Sequence, residues 1–442
     1  MNQLNRNDIT DAKSNISIFR AWSVVIVLLI LTILAFIDRS AISLMVDPIK
    51  KSLGVNDLQM SWLQGTAFAV FFLLGSLPMG WIVDRYSKRW VLYIGVTVWS
   101  LATVACGLTN TYIELLIARS IVGLGEAVLQ PAGWSMVAKI FPKRRLSTAI
   151  SVLTAGTQIG TAISFLLGGL LIAEANEVSS ASLSFFSRFE PWQLVFFASG
   201  IPGVLLAFLI FISPAEKRLL KDANQASAKG VSRFMLNNRR FFIHHFLGYG
   251  FLCAMVYGSS SWLPTFLIRS HDFEIKNVGF TMAVMAVPIG MFGAFFSGWF
   301  VDRSFSKGHH DAHFSHFAYR ALAIAIIGGI GFFMSSSVIV PLIAFGLIQF
   351  LQPFAGVAGA SIQLSTPPEY RGRVSAIFIM FYNTLGMILG PSFVVFVSDY
   401  VLGNGNLGVS IALNYIIFGG AAAILLWTGK KYAAATIKQQ EQ

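Results

Sequence analysis

Cysteine is nearly missing from this chain. Its 442 residues hold two, Cys106 and Cys253, both inside apolar runs. No disulfide framework and no zinc spacing can be built from them, and they read as small buried hydrophobes. Charge is scarce as well: 12% of residues are Asp, Glu, Lys or Arg, against roughly 25% in an average soluble domain. Also lacking are a Walker loop, which excludes a built-in ATPase, and any Ser-His-Asp or metal-hydrolase spacing in loops able to hold it. The chain reads as a non-enzyme that needs no cofactor and no metal.

What fills the space is apolar: 55% of residues are hydrophobic, in blocks long enough to cross about 30 Å of hydrocarbon as helix. The expected fold is an all-α membrane protein of twelve spans, at 22–46, 62–83, 90–108, 112–141, 147–173, 192–212, 241–268, 278–301, 317–335, 338–365, 374–400 and 410–429. The first block resembles a secretory signal, but it is long, carries Asp38-Arg39 and is followed by further spans, so it is expected to stay in the mature protein. The organisation expected is a tail at 1–21, a six-helix bundle at 22–212, a linker at 213–240, a second bundle at 241–429 and a tail at 430–442.

Most of the 32 basic residues fall in the termini and the even-to-odd loops, whereas Lys50, Lys51, Arg188, Arg269 and Lys276 lie on the opposite side. The positive-inside rule then expects both termini in the cytoplasm, with a bacterial inner membrane as the location. The net charge of +12 is accounted for by basic loops beside anionic lipid, so no nucleic-acid partner is called for.

Loops repeat between the halves. After span 2 the chain reads Gly80-Trp-Ile-Val-Asp84-Arg85-Tyr-Ser-Lys88-Arg89, and after span 8 Gly298-Trp-Phe-Val-Asp302-Arg303-Ser-Phe-Ser-Lys307. Pro142-Lys-Arg-Arg-Leu-Ser-Thr-Ala-Ile150 is echoed by Pro368-Glu-Tyr-Arg-Gly-Arg-Val-Ser-Ala-Ile377. Two related six-helix halves are the build of a carrier that rocks about a site at the midplane between them. The first motif resembles the signature between helices 2 and 3 of the major facilitator superfamily, Gly-x3-Asp-Arg/Lys-x-Gly-x-Arg/Lys-Arg/Lys. It matches at Gly80, Asp84, Arg85 and Arg89, with Lys88 in a neighbouring basic slot and Ser87 where a glycine is expected. The resemblance implies a cytoplasmic gate at Asp84 and Arg85, echoed by Gly298, Asp302 and Arg303; the alternative is a solvated turn that anchors topology.

Four ionisable residues lie within spans of the first half: Asp38 and Arg39 in span 1, Arg119 and Glu126 in span 4. Each costs at least about 2.5–3.5 kcal/mol at a helix centre. Arg119 and Glu126 share a helix face, and spans 1 and 4 lining one cavity would bring Arg39 to Glu126. Such a set couples proton and solute movement: protonating Glu126 frees an arginine for an anionic solute. The alternative is an ion-pair network that only orients two helices. Comparable depths of the second half hold neutral polar groups, Gln349, Gln352, Tyr257, Tyr382 and Asn383, and these join Gln130, Gln158 and Trp262 as candidate cavity lining.

Ile37-Asp38-Arg39 and Arg119-Ser-Ile-Val-Gly123-Leu-Gly125-Glu126-Ala127 resemble the Spinster family of lysolipid and sphingolipid carriers. Trp192-Gln-Leu-Val-Phe-Phe-Ala-Ser-Gly200-Ile-Pro202-Gly203 and Trp262-Leu-Pro264-Thr-Phe-Leu resemble its bacterial members. The anion:cation symporter family, which takes up sugar acids and other carboxylates, also pairs a helix 1 Asp-Arg with a helix 4 Glu, and Pro131-Ala132 fits it. These resemblances imply a monomeric secondary transporter, proton-coupled, with a small organic anion or lysolipid-like solute bound between the halves. In that reading Glu126 is the proton site, Arg39 its partner and the anion contact, Asp38 a second titratable group and Arg119 a supporting cation. A channel or a non-transporting sensor is the rival of a different class.

Weaker signals complete the reading. Gly156, Gly160, Gly168 and Gly169 read as close helix contacts, and Gly386 with Gly390-Pro391 as a bend. His244 and His245 point to different faces. His309, His310, His313 and His316 read as a solvated loop.

Overall fold

The computed structural model describes residues 18–141, 143–178, 188–213, 228–403 and 405–441. Among them every regular element is helical, as hydrocarbon demands, since a helix satisfies its backbone polar groups internally. Span 1 is α1 (Ile18–Ala41), followed by a short amphipathic α2 (Val46–Leu53). Span 2 starts as α3 (Asp57–Ser61), passes a π-helical turn at Trp62–Thr66 and continues as α4 (Ala67–Arg85). Asn56 caps α3 and Gln59 returns to the Asn56 backbone N–H, a reciprocal capping box. Next come α5 (Lys88–Cys106), then α6 (Tyr112–Glu126) with α7 (Leu129–Ile140), α8 (Lys143–Val178) and α9 (Pro191–Leu206).

In the second half, a short α10 (Ala228–Asn237) precedes α11 (Arg239–His271), α12 (Ile275–Ser306) and α13 (Ala312–Phe333). Span 10 is α14 (Ile339–Leu351) plus α15 (Ala355–Ser365); α16 (Arg371–Val395) and α17 (Leu407–Glu441) end the chain. Ten of the expected spans are long and apolar enough as helices to cross a bilayer, and in span 5 the apolar stretch shortens to Gly156–Leu171. Span 4 is the other exception, its two helices falling outside the ten. The segment expected as a C-terminal tail continues α17, consistent with its Ala, Lys and Gln, all good helix formers.

The described residues gather into two compact units that cut across the six-and-six division. Unit one lies within Met1–Arg39, Phe71–Ser164 and Gln193–Leu219; unit two lies within Ser40–Val70, Phe165–Trp192 and Leu220–Gln442. In unit one, glycines bring helices together. A Cβ on Gly160 would lie 2.5 Å from the Ile33 carbonyl, and one on Gly125 would lie 2.8 Å from the Trp99 Cβ. Ser164 Oγ donates to the Ile37 carbonyl at 2.7 Å, pinning α8 to the end of α1.

Unit two is built round α11. Tyr249 Oη donates to the His313 carbonyl at 2.7 Å, and Asn414 Nδ2 donates to the Met255 carbonyl at 2.9 Å. Gly386 and Gly390 lie within the continuous α16, which also contains Pro391, and they admit α11, a Cβ on Gly390 falling 2.3 Å from the Ala254 carbonyl. His313 and His316 lie in α13 rather than in a loop, and His313 is buried at 2% exposure. As expected His244 and His245 part company: His245 is fully buried, its Nε2 3.1 Å from the Ala358 carbonyl.

Candidate functional site

Helix 1 ends its membrane run with Asp38 and Arg39, and α6 ends with Glu126. Pro131 has no N–H to give the Ala127 carbonyl, and the helix restarts at Leu129. Glu126 therefore sits at a helix C-terminus, where the macrodipole disfavours a negative charge, and it is 2% exposed. Its compensation is direct, for Arg39 NH2 donates to Glu126 Oε2. The other carboxylate oxygen, Oε1, has no hydrogen-bond partner among the described residues.

The Arg39 guanidinium also lies over two rings, 4.7 Å from the centroid of Phe36 and 5.7 Å from that of Phe72. A cavity opens beside the pair, lined with Thr32, Phe36, Gln130, Trp134 and Thr157. Gln130 stands at this cavity, whereas Gln158 is exposed and its neighbour Thr157 lines the wall.

Asp38 and Arg119 form a second ion pair, 3.5 Å from Oδ2 to NH1. Both are buried, Arg119 completely, and neither lines the cavity. The four intramembrane charges are thus two pairs with different surroundings, one facing open space and one sealed behind it. Which cation meets which carboxylate depends on the rotation of two helices, and the spacing in the chain does not fix that.

A further charged cluster had no counterpart in the sequence reading. Arg269, at the end of α11, grips Asp57 with NH1 at 2.7 Å and NH2 at 3.0 Å, and reaches Asp47 with Nε at 2.9 Å. Lys50 Nζ adds a contact to Asp57 at 2.5 Å. Within unit two this cluster ties the start of span 2 to the end of span 7, on the face opposite the basic loops. Below it Gly65 comes so close to α16 that a Cβ would lie 2.2 Å from the Met387 carbonyl. That carbonyl lost its helical donor to Pro391.

A family model described as Major Facilitator Superfamily matches residues 28–391. The chain belongs to that superfamily. This MFS member is an integral membrane transporter and not an enzyme. Among its relatives is an MFS-type efflux pump of Mycolicibacterium smegmatis, 25% identical with 92% of each chain covered. Another is a probable galactarate/D-glucarate transporter of Escherichia coli, 24% identical over 84% of this chain and 85% of the relative. A crystal structure of a bacterial homologue of the human lysosomal transporter Spinster, inward-facing and unoccupied, has the same fold, with TM-score 0.76, 22% identity and coverage of 96% and 99%.

The remaining expected residues of the MFS chain divide as follows. The side chains of Asp84 and Arg85, and Gly80, lie outside the described features. Arg89 NH2 donates to the Phe211 carbonyl at 2.6 Å, tying span 3 to the end of span 6. In the echo motif Gly298 faces open space, Asp302 and Arg303 are exposed, and Arg303 lies over the Trp299 ring at 5.5 Å. Trp262 is fully buried and donates Nε1–H to the Pro391 carbonyl at 3.1 Å, so it packs span 7 on span 11. Tyr257 Oη reaches Asn383 Oδ1 at 3.4 Å, while Tyr382 packs on Phe378 and Phe354. Gln352 Nε2 donates to Gln349 Oε1.

Proposed function

We propose that this MFS member is a proton-coupled carrier of small organic anions, working by alternating access in a bacterial inner membrane, as a monomer with both termini in the cytoplasm. The observation that carries the reading is the Arg39–Glu126 pair at the cavity wall. While Glu126 is ionised it holds the guanidinium. Once it takes a proton the pair loses its Coulombic partner, and Arg39 is released to a solute carboxylate, which matches its planar fork of donors. Proton and anion then load together. Asp38 keeps Arg119 compensated throughout, so the exchange at the cavity leaves the second pair in place.

Relatives that carry sugar acids support carboxylates as the cargo. Thr32, Gln130 and Thr157 at the cavity suit a polar solute. The rings of Phe36, Phe72 and Trp134 in the same wall favour a second reading, an amphipathic lysolipid-like anion. A thermal-shift screen of the purified carrier against D-glucarate and lysophospholipid separates the two. The carboxylate reading expects stabilisation by D-glucarate that is stronger at acidic than at neutral pH, because protonated Glu126 leaves Arg39 available. Stabilisation by lysophospholipid alone would overturn it.

A further inference from the structure

At one end of unit two the start of α11 meets the later part of α17. A Cβ added to Gly429 would lie 2.6 Å from that of His244, so the two helices touch there and bring their flanking residues together. α17 begins at Leu407, and at 1.5 Å per residue it crosses about 30 Å of hydrocarbon by roughly Trp427. The helix then runs on to Glu441. The level of Trp427 is therefore a boundary between apolar and aqueous surroundings, where Trp and Tyr are favoured.

Cations gather on aromatic rings at that level. Lys430 Nζ lies 3.4 Å from the centroid of the Trp427 ring. The Tyr432 ring is shared: the Arg240 guanidinium lies 5.7 Å from its centroid, Lys431 Nζ 5.1 Å, and the His244 ring 5.2 Å. No carboxylate lies within ion-pair distance of Arg240, Lys430 or Lys431 among the described residues. A ring orients a cation without neutralising it, so three positive charges are held in place with no carboxylate to answer them. Arg240 and Lys431 are exposed.

An apolar wall adjoins the cations. Trp427 meets Tyr319 of α13 edge-on at 5.2 Å, and from Tyr319 the exposed Leu322 and Ile326 continue along one face of that helix. A small anion would use the cations and ignore the wall. A phospholipid uses both, because its phosphate sits at the boundary and its chain runs down from it.

We propose that this end of α11, α13 and α17 is a binding site for one anionic phospholipid, its phosphate held by Arg240, Lys430 and Lys431 and an acyl chain laid along Tyr319, Leu322 and Ile326. Phosphate oxygens accept charge-assisted hydrogen bonds from all three side chains. A headgroup of net negative charge is preferred, since a zwitterionic one brings a cation of its own to a cationic site. The site lies wholly within unit two and is independent of which solute the carrier moves.

The test measures phosphatidylglycerol and phosphatidylcholine of matched acyl chains bound to the purified full-length carrier by native mass spectrometry. Wild type should favour phosphatidylglycerol by roughly tenfold or more. Lys431→Gln should weaken it by about fivefold, and the triple variant Arg240→Gln, Lys430→Gln, Lys431→Gln by about two orders of magnitude, with phosphatidylcholine within about twofold. Trp427→Leu keeps the wall apolar but removes the ring under Lys430, and should cost about threefold. A charge-matched control, Arg233→Gln, Lys307→Gln, Lys438→Gln, neutralises three exposed cations of the same unit and should stay within about twofold of wild type. Excess inorganic phosphate should displace none of the bound lipid. Equal retention of the two lipids by wild type, or equal losses in the two triple variants, overturns the site, and displacement by inorganic phosphate shows a small-anion site in its place. If the first triple variant does not fold, Lys431→Gln decides alone, and binding unchanged by it overturns the proposal.

Discussion

Spans 4 and 10 share a break and differ in what stands at it. In span 4 a carboxylate ends the helix, an arginine from span 1 neutralises it, and a second buried ion pair stands behind. In span 10 an amide, Gln352, takes the same position, and the nearby Arg320 of α13 serves backbone and hydroxyl acceptors. The difference follows from the cost of each group in hydrocarbon. A carboxylate at that depth requires a cation, and the cation's other contacts must be met in turn. An amide requires only hydrogen bonds. The two spans therefore share a break, while only span 4 places a carboxylate at it. Among the described residues of unit two the carboxylate-paired charges are those of the Arg269 cluster.

The comparison is broken most severely at Arg39. Arg39→Ala leaves Glu126 buried without its counter-charge, and loss of one member of such a pair costs about 3–5 kcal/mol. Proton-driven uptake into liposomes should fall by roughly two orders of magnitude or more, whereas Arg320→Lys should retain most of its transport. Equal losses in the two variants would contradict the assignment of the ionisable chemistry to spans 1 and 4.

Asp38 and Arg119 come next. Asp38→Asn and Arg119→Gln should each lower the thermal stability of the purified protein, and the double variant should recover much of the loss, since neither charge then stands alone. Purely additive losses would show that the 3.5 Å contact couples nothing. The smallest effect belongs to the Arg269 cluster, whose arginine is 28% exposed and whose contacts are accordingly screened. Arg269→Gln should speed thiol labelling of a buried Ser61→Cys reporter, in a background lacking Cys106 and Cys253, by about severalfold. Unchanged labelling would mean that the cluster does not brace the start of span 2 against the end of span 7.

The four intramembrane charges were legible in the chain because ionisable residues inside apolar runs stand out against their surroundings. The Arg39–Glu126 contact could be anticipated from the positions of spans 1 and 4. The partnership of Asp38 with Arg119 could not, for it depends on helix rotation. Arg320 was passed over because it stands at the very start of the expected span 317–335; α13 begins at Ala312, so Arg320 lies about two turns inside a helix. The Arg269 cluster joins residues more than two hundred positions apart, and no local pattern announces such a contact. Trp262 looked like cavity lining because polar residues precede it, but an indole N–H is met equally well by the Pro391 carbonyl, and in a packed span that is where it went. The break in span 4 had a visible cause in Pro131, and its match in span 10 emerges only once both restarts are aligned.

Glu126 is the group on which the account turns. The decisive measurement is pH-driven accumulation against solute counterflow for Glu126→Gln in proteoliposomes, with D-glucarate as the solute. Accumulation should vanish while counterflow persists, because the glutamine keeps the site's shape and loses only the proton. Accumulation that survives intact would contradict the assignment of proton coupling to the Arg39–Glu126 pair.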